Sequence, residues 1–446
     1  MKRYYIQTFG CQMNVRDSEL AAGLLEKEGY RLTGNPAEAD LVLVNTCTVR
    51  EKAEQKAHSF IGRVGKFKAK RPGLILGVMG CLAQQWGREF FKRSPYIDFV
   101  CGTHALDRIP DMAREVRAGK KHPADTAFRD YPASLAVHSP PHPGEIASYV
   151  NIMQGCDNFC AYCIVPYVRG RERSRPSDDI IDEVDRLAEA GVKEVTLLGQ
   201  NVNSYGTGLE EDINFPLLLK RLGAVQGIER IRFTTSHPKD ISEALMDAFL
   251  EIDSLCGYLH LPFQAGSNRV LKRMNRGYTA EEYLGKINGL RSRVPSLGLS
   301  TDIIVGFPGE SGEDFQKTID LIEKVRFDNA FSFKYSDRPG TAAAGYDGKV
   351  DEIEKSRRLT YLQKLQAGYT LEKNKALEGT VQEVLVEGPS KGGFPNVTGR
   401  TRGNKVVNFQ GDAALFGKTV LVKITHGFAH SLRGEMVQGG DVESCS

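Results

Sequence analysis

The sequence predicts an α/β protein in three parts: an N-terminal doubly wound parallel sheet, a central partial (β/α)6 barrel, and a small C-terminal antiparallel β-barrel. Three observations lead there. Apolar runs alternate with helix-period stretches up to about residue 120, six more strand–helix units follow a proline-rich break, and short glycine-punctuated runs fill the end. At 446 residues the chain is also too long for one hydrophobic core. The expected domains are 1–120, a linker over 121–144, a core over 145–374 and a final domain over 375–440.

In the first part, "YYIQTFG", "LVLVNT", "LILGVMG" and "DFVCG" read as buried parallel strands. "SELAAGLLEKEG" and "EKAEQKAHSFIGRVGKFKAK" have helical spacing with polar faces. Cys11, Cys47 and Cys81 each fall just past the carboxyl end of a different strand, the edge where open α/β sheets bind ligands. A lone cysteine is more often core than ligand. Three at one topological position favour a shared site. Cys101 follows a fourth strand, where packing explains it equally well.

"KKHPADTAFRDYPASLAVHSPPHPGE" has no periodicity and reads as the linker. Beyond it, "SYVNIMQG", "EVTLLGQN", "RIRFTTSHP", "GYLHLPFQAGS", "LSTDIIVGFPGE" and "NAFSFKYS" are strand-like. The helix "SDDIIDEVDRLAEAG" is expected to be capped by Ser177 and stopped by Gly191. Such a series places its chemistry at the carboxyl ends of the strands. From about Leu377, some five short strands predict a small barrel.

Composition excludes several classes. Apolar and charged fractions are those of a globular chain, no window approaches a membrane span, and the start lacks an export signal. The chain is therefore expected in the cytoplasm, where its nine cysteines are not a disulfide scaffold. The net charge of +3 is close to neutral, but arginines crowd "VRGRERSRP" (Arg169, Arg171, Arg173, Arg175), and "GRTRGNK" holds Arg400, Arg402 and Lys405.

The chemistry concentrates in "QGCDNFCAYC", which puts Cys156, Cys160 and Cys163 in a C-x3-C-x2-C arrangement after the first barrel strand. Structural zinc wants four ligands, and the closest histidine, His142, lies back in the linker. An iron–sulfur cube takes one thiolate per iron, so three cysteines leave one iron open to a substrate.

This spacing, with Tyr162 before the last cysteine, resembles the signature of the radical S-adenosylmethionine superfamily. The resemblance implies that the open iron chelates S-adenosylmethionine, which one electron splits to a 5′-deoxyadenosyl radical. It also implies cofactor contacts from Tyr162 itself, Gln200 and Asn201 of "GQN", Ser236 of "SHP", Gln264 of "PFQAGS", and Ile304 and Glu310 of "DIIVGFPGE". The whole chain resembles the methylthiotransferase family, whose last domain is of the TRAM type. "TFGCQMNVRDSE", "NTCTVREKAEQK" and "GVMGC" match that family's first cluster site. They imply that Cys11, Cys47 and Cys81 hold a second 4Fe-4S cluster, so that all six cysteines are catalytic. One S-adenosylmethionine would methylate the sulfur and a second would generate the radical, two per turnover.

Within the family, "GCQMN" and "CAYCIVPYVRGRERSRP" are most similar to the branch that adds a methylthio group to carbon 2 of N(6)-dimethylallyladenosine, at position 37 beside the tRNA anticodon. The implied partners are a tRNA anticodon stem-loop, an electron donor such as flavodoxin or ferredoxin, and iron–sulfur assembly proteins. The arginine-rich segment 169–175 and Arg400, Arg402 and Lys405 are the expected phosphate contacts. The alternatives are methylthiolation of a ribosomal-protein aspartate or of threonylcarbamoyladenosine. A non-catalytic iron–sulfur RNA-binding protein is the rival of another class.

Overall fold

The computed structural model describes residues 1–48, 51–136, 144–393 and 395–437, with the side chains of residues 51 and 53 excepted. Residues 137–143 of the expected linker, with His142, lie outside the described residues, as do residues 438–440 and Cys445.

The N-terminal sheet has six parallel strands: Lys2–Thr8, Tyr30–Leu32, Leu41–Thr46, Ile75–Gly80, Phe99–Cys101 and Ala124–Asp125. Their spatial order is second, first, third, fourth, fifth, sixth. The order reverses between the first and third strands, and ligands of such sheets bind at that switch point. Leu41–Thr46 and Ile75–Gly80 are buried at every position, as strands covered on both faces must be. The two strands not expected from sequence are very short, and one of them, Ala124–Asp125, adds an edge from within the segment read as linker.

The central part carries six parallel strands: Ala147–Asn151, Glu194–Leu198, Arg230–Phe233, Tyr258–His260, Gly298–Val305 and Asn329–Lys334. They form two three-stranded sheets joined by a bridge from Ile231 to Leu255, an open partial barrel. One continuous hydrophobic core, from Val150 to Leu362, lies between strands and helices. The helix Ser177–Glu189 starts differently from expectation. Pro176 is its cap residue, and Ser177 turns its amide and hydroxyl to Glu211 instead.

The C-terminal strands close into a five-stranded barrel. Its pairs are antiparallel except Val406–Gln410 against Leu432–Met436, which run parallel where the barrel closes. The barrel sits on the central sheet through two buried arginines on one face of the strand Arg230–Phe233. Arg230 reaches the Arg400 carbonyl at 2.6 Å and Glu383 at 2.8 Å. Arg232 reaches the carbonyls of Arg402 at 2.9 Å and Thr401 at 2.8 Å, and pairs with buried Glu194.

Candidate active site

Cys11, Cys47 and Cys81 follow the first, third and fourth N-terminal strands, which are neighbours in the sheet, so Cys11 and Cys47 flank the switch point. Cys11 is the cap residue of the helix Gln12–Lys27, and Cys81 opens the helix Cys81–Trp86. Beneath them lies a buried amide pair: Asn14 donates to Asn45 Oδ1 at 2.8 Å, and Asn45 returns a bond to the Asn14 carbonyl at 2.7 Å. Gly80 has φ +93°, and a side chain there would meet the Thr46 carbonyl at 2.7 Å, so only glycine lets the strand turn into Cys81. Cys101 does not join the triad. It is fully buried, and its thiol donates to the Ala105 carbonyl at 3.1 Å.

The second triad occupies the loop after Ala147–Asn151. The Cys156 amide donates to the Gly170 carbonyl at 3.2 Å, which folds the arginine-rich segment back over the loop. Asn158 and Arg276 approach the sulfurs of Cys156 and Cys160, each at 3.4 Å. Arg276 also reaches the Tyr162 hydroxyl at 3.4 Å, so Tyr162 lies beside Cys160 with its polar end engaged.

All six thiols are free of disulfides. Burial pushes Cys156 up to about 11, and Cys163 and Cys81 up to about 12. Metal ligation takes cysteine as the thiolate, so binding there releases these protons. Among the described residues no three Cys, His, Asp or Glu side chains close on one point as ligands of a single ion do. A cube is instead held at separate corners. The donor set, three thiols per site with guanidinium or amide donors beside them, fits such a cluster.

The two triads share one interface. The helix Val165–Arg169 begins two residues after Cys163, and Ile164 and Val168 pack on Cys81. The N-terminal part grips that helix: Thr103 donates to the Val168 carbonyl at 2.6 Å, and His104 Nε2 meets the Arg169 carbonyl at 2.8 Å. His104 Nδ1 accepts from the Arg129 amide, so Nε2 carries the proton. Arg169 itself is buried, pairs with Asp17 at 2.5 Å and donates from Nε to Cys81 Sγ at 3.4 Å.

Beside the second triad, at the carboxyl ends of the second and third barrel strands and in the segment returning over the cysteine loop, buried polar atoms stand without protein partners. They are Gln200 Nε2, Asn201 Oδ1, both amide atoms of Asn203, Ser236 Oγ, His237 Nε2 and Glu172 Oε1. Buried polar groups are ordinarily paired, so this concentration calls for a polar ligand. S-adenosylmethionine, with an ammonium, a carboxylate and two ribose hydroxyls, fits that demand. Gln200 is locked in place, its Oε1 accepting from the Gly155 amide at 2.5 Å, and Asn201 donates to Asp240 at 2.7 Å. Burial, with Arg276 nearby, pushes His237 down to about 2, so it is neutral. Burial pushes Glu172 up to about 7. Sequence reading missed Glu172 and Asn203; the lone acid within an arginine run was the available signal for the first.

Gln264, at the end of the fourth strand, is buried with φ +65°, strain of the kind that collects at functional rims. Ile304 is half-buried on the neighbouring strand, where Gln264 accepts its amide at 3.0 Å. Glu310 departs from expectation. Its carboxylate accepts the amides of Gly306 and Phe307 and pairs with Arg358, so it shapes the glycine loop rather than facing a cofactor.

The expected phosphate contacts divide. Arg171 and Arg173 are exposed, with Arg171 paired to Asp157 at 2.7 Å. Arg169 and Arg175 are each only 2% exposed, so neither reaches RNA; Arg175 is spent on Glu183 and the carbonyls of Asn151 and Asp179. The "GRTRGNK" turn packs against the central sheet, with the Arg400 and Arg402 side chains still 38% and 35% exposed. Arg402 donates to the Asp253 and Leu255 carbonyls, Lys405 pairs with Asp328 at 2.9 Å, and Arg400 pairs with Glu387 at 3.0 Å.

Comparison with known proteins agrees with this architecture. Residues 3–102 match Uncharacterized protein family UPF0004, residues 150–322 the Radical SAM superfamily, and residues 375–437 the TRAM domain. The tRNA-2-methylthio-N(6)-dimethylallyladenosine synthase of Syntrophus aciditrophicus (strain SB) is 54% identical over 436 residues, 98% of this chain and 95% of that one. The synthase of the same name from Geobacter sulfurreducens is 52% identical over 438 residues, 98% of each chain. Among solved structures, the radical S-adenosylmethionine methyltransferase TsrM from Kitasatospora setae, with tryptophan substrate and a SAM analogue bound, superposes with a TM-score of 0.56 at 13% identity. It covers 86% of this chain and 78% of that one, a likeness of fold. With three matched domains in one order and half its residues shared along nearly the full length, the chain belongs to the family of the tRNA-2-methylthio-N(6)-dimethylallyladenosine synthases.

Proposed function

We propose that this protein methylthiolates carbon 2 of N(6)-dimethylallyladenosine beside the tRNA anticodon; its relatives are named for making the 2-methylthio derivative of that nucleoside in tRNA. The observation that carries the reading is the meeting of two cysteine triads across one interface, tied by the helix Val165–Arg169. Bound there, two 4Fe-4S clusters and S-adenosylmethionine supply the electron, the radical, and the sulfur and methyl groups. Cys156, Cys160 and Cys163 hold the first cluster; Cys11, Cys47 and Cys81 hold the second.

The chain's own residues do the positioning. Gln200, Asn201, Asn203, Ser236, His237 and Glu172 offer buried donors and acceptors to the methionyl and ribose groups, and Glu310 fixes the glycine loop beside Ile304 by accepting the Gly306 and Phe307 amides. An aromatic carbon–hydrogen bond gives a positioned base nothing to act on, which is why radical chemistry is needed. The substrate base must leave its stack to reach the interface. Arg171 and Arg173 at the rim, and Lys423 and Arg433 exposed on the barrel, are the basic groups placed for its phosphates.

A reductant of the flavodoxin or ferredoxin kind, iron–sulfur assembly proteins and a cytoplasmic setting accompany this reading. Among the described residues no helix is long and apolar enough to cross a membrane. The test is mass spectrometry of tRNA nucleosides after anaerobic incubation with reconstituted protein, reductant and S-adenosylmethionine. Appearance of the 2-methylthio nucleoside supports the assignment. Persistence of the unmodified base despite 5′-deoxyadenosine release defeats it.

A further inference from the structure

We propose that the buried Arg169–Asp17 pair is a positioning device for the second cluster, delivered across the interface by the central barrel. This rests on the reading that Cys11, Cys47 and Cys81 bind iron. Arg169 is the last residue of the helix that follows Cys163, yet its guanidinium lies in the other triad, with Nε 3.4 Å from Cys81 Sγ. Its Nη2 pairs with Asp17 at 2.5 Å, and its Nη1 lies 3.4 Å from both Asp17 Oδ1 and Gln154 Oε1. Asp17 is fully buried on the helix that Cys11 caps. A continuous tie thus runs from Cys11 along one helix, through Asp17 and Arg169, and along a second helix to Cys163.

Stability does not account for the pair. Desolvating two ions costs about what their attraction returns, and well-packed apolar residues often serve as well or better. A fixed positive charge and an N–H aimed at a ligand sulfur have a direct effect on a cluster, because hydrogen bonds to sulfur, net charge and burial set its reduction potential. Arginine suits this role because its planar fork holds Asp17 while pointing Nε at the sulfur. In this geometry Arg169 stabilises the reduced, more negative cluster, while Asp17 orients the guanidinium and offsets part of its charge. The second site therefore gains its full electrostatic setting only when the central barrel is docked, which couples it to the first cluster's loop.

The test uses the full chain with Cys156, Cys160 and Cys163 replaced by alanine, so that only the N-terminal triad carries iron. Potentiometric titration followed by electron paramagnetic resonance reads the cluster. Arg169→Gln is expected to shift the one-electron reduction equilibrium about tenfold toward the oxidised form, about 59 mV more negative. Asp17→Asn is expected to shift it in the opposite direction, and the double variant to fall between the two. A purely structural pair would move both singles the same way or leave both unchanged, and either result overturns the proposal. Where Arg169→Gln does not load iron, Asp17→Asn decides alone, and an unchanged or more negative potential defeats the proposal. Absence of any cluster in the triple-alanine parent defeats the underlying site reading instead.

Discussion

Replacing Gly155 by alanine should separate the geometry of the second triad from its chemistry. Gly155 has φ +85°, and a Cβ there would lie 2.0 Å from the Arg171 carbonyl oxygen, 2.5 Å from the Arg171 carbonyl carbon and 2.7 Å from the Gly170 oxygen. Real Cβ contacts do not fall below 3.0 Å, so the returning segment must retreat by about 1 Å. That retreat stretches the bond from the Cys156 amide to Gly170 and the one from the Glu172 amide to Asp157, each 3.2 Å. It also shifts the amide that fixes Gln200. A misplacement of this size costs about a hundredfold in a reaction that depends on orientation. The left-handed backbone adds roughly 1–2 kcal/mol of strain.

Gly191→Ala supplies the control. Gly191 has φ +93° with nothing within 4 Å of the built Cβ, so it carries the backbone strain without the clash. At matched iron loading, chromatographic measurement of 5′-deoxyadenosine should show Gly155→Ala about a hundredfold slower and Gly191→Ala within about threefold of the parent. Equal rates for the two variants would refute the steric argument.

Three other outcomes are expected. Arg232→Ala removes a buried charge that holds the Thr401 and Arg402 carbonyls and Glu194. It should cost about 3–5 kcal/mol in urea unfolding, against less than about 1 kcal/mol for Arg3→Ala at the half-exposed Arg3–Glu38 pair. Burial raises Glu172 from 4.5 to about 7, so the folded state is penalised increasingly as pH rises from 4.5 through about 7. Glu172→Gln should flatten the fall in stability across that window by an amount on the order of 3 kcal/mol, and a parallel pH profile would contradict it. Cys47→Ala should remove about half of the bound iron and stop methylthio transfer while 5′-deoxyadenosine release persists. Loss of both activities together would show that the two sites are not separable.

Much of the fold was written in local pattern. The helix Glu51–Lys70 spans the same residues that its periodicity marked, and four of the six N-terminal strands were apolar runs long enough to see. The strands Tyr30–Leu32 and Ala124–Asp125 escaped because they lie at the sheet's two edges, only partly buried, and so lack the apolar run that the similarly short but fully buried Phe99–Cys101 shows. Ser177 reads as a cap in isolation, but Glu211, 34 residues away, claims its amide and hydroxyl. The candidate site divided along the same line. Cys11, Cys47 and Cys81 could be placed on one edge from strand ends alone, whereas Arg169 and Arg175 looked like phosphate ligands because charge is visible in sequence and burial is not.

By itself, then, the sequence determined the three-part architecture and placed the two cysteine triads at the ends of parallel strands. Tertiary structure decided which charges face outward. Arg169 finds Asp17 across 152 residues and is thereby withdrawn from solvent, and Arg230 and Arg232 find the backbone carbonyls of the "GRTRGNK" turn across about 170, which docks the barrel on the central sheet. The physical reason is that a charge is free to bind a partner only if no buried opposite charge or carbonyl already holds it. Those holders lie far away in the chain and near only in space.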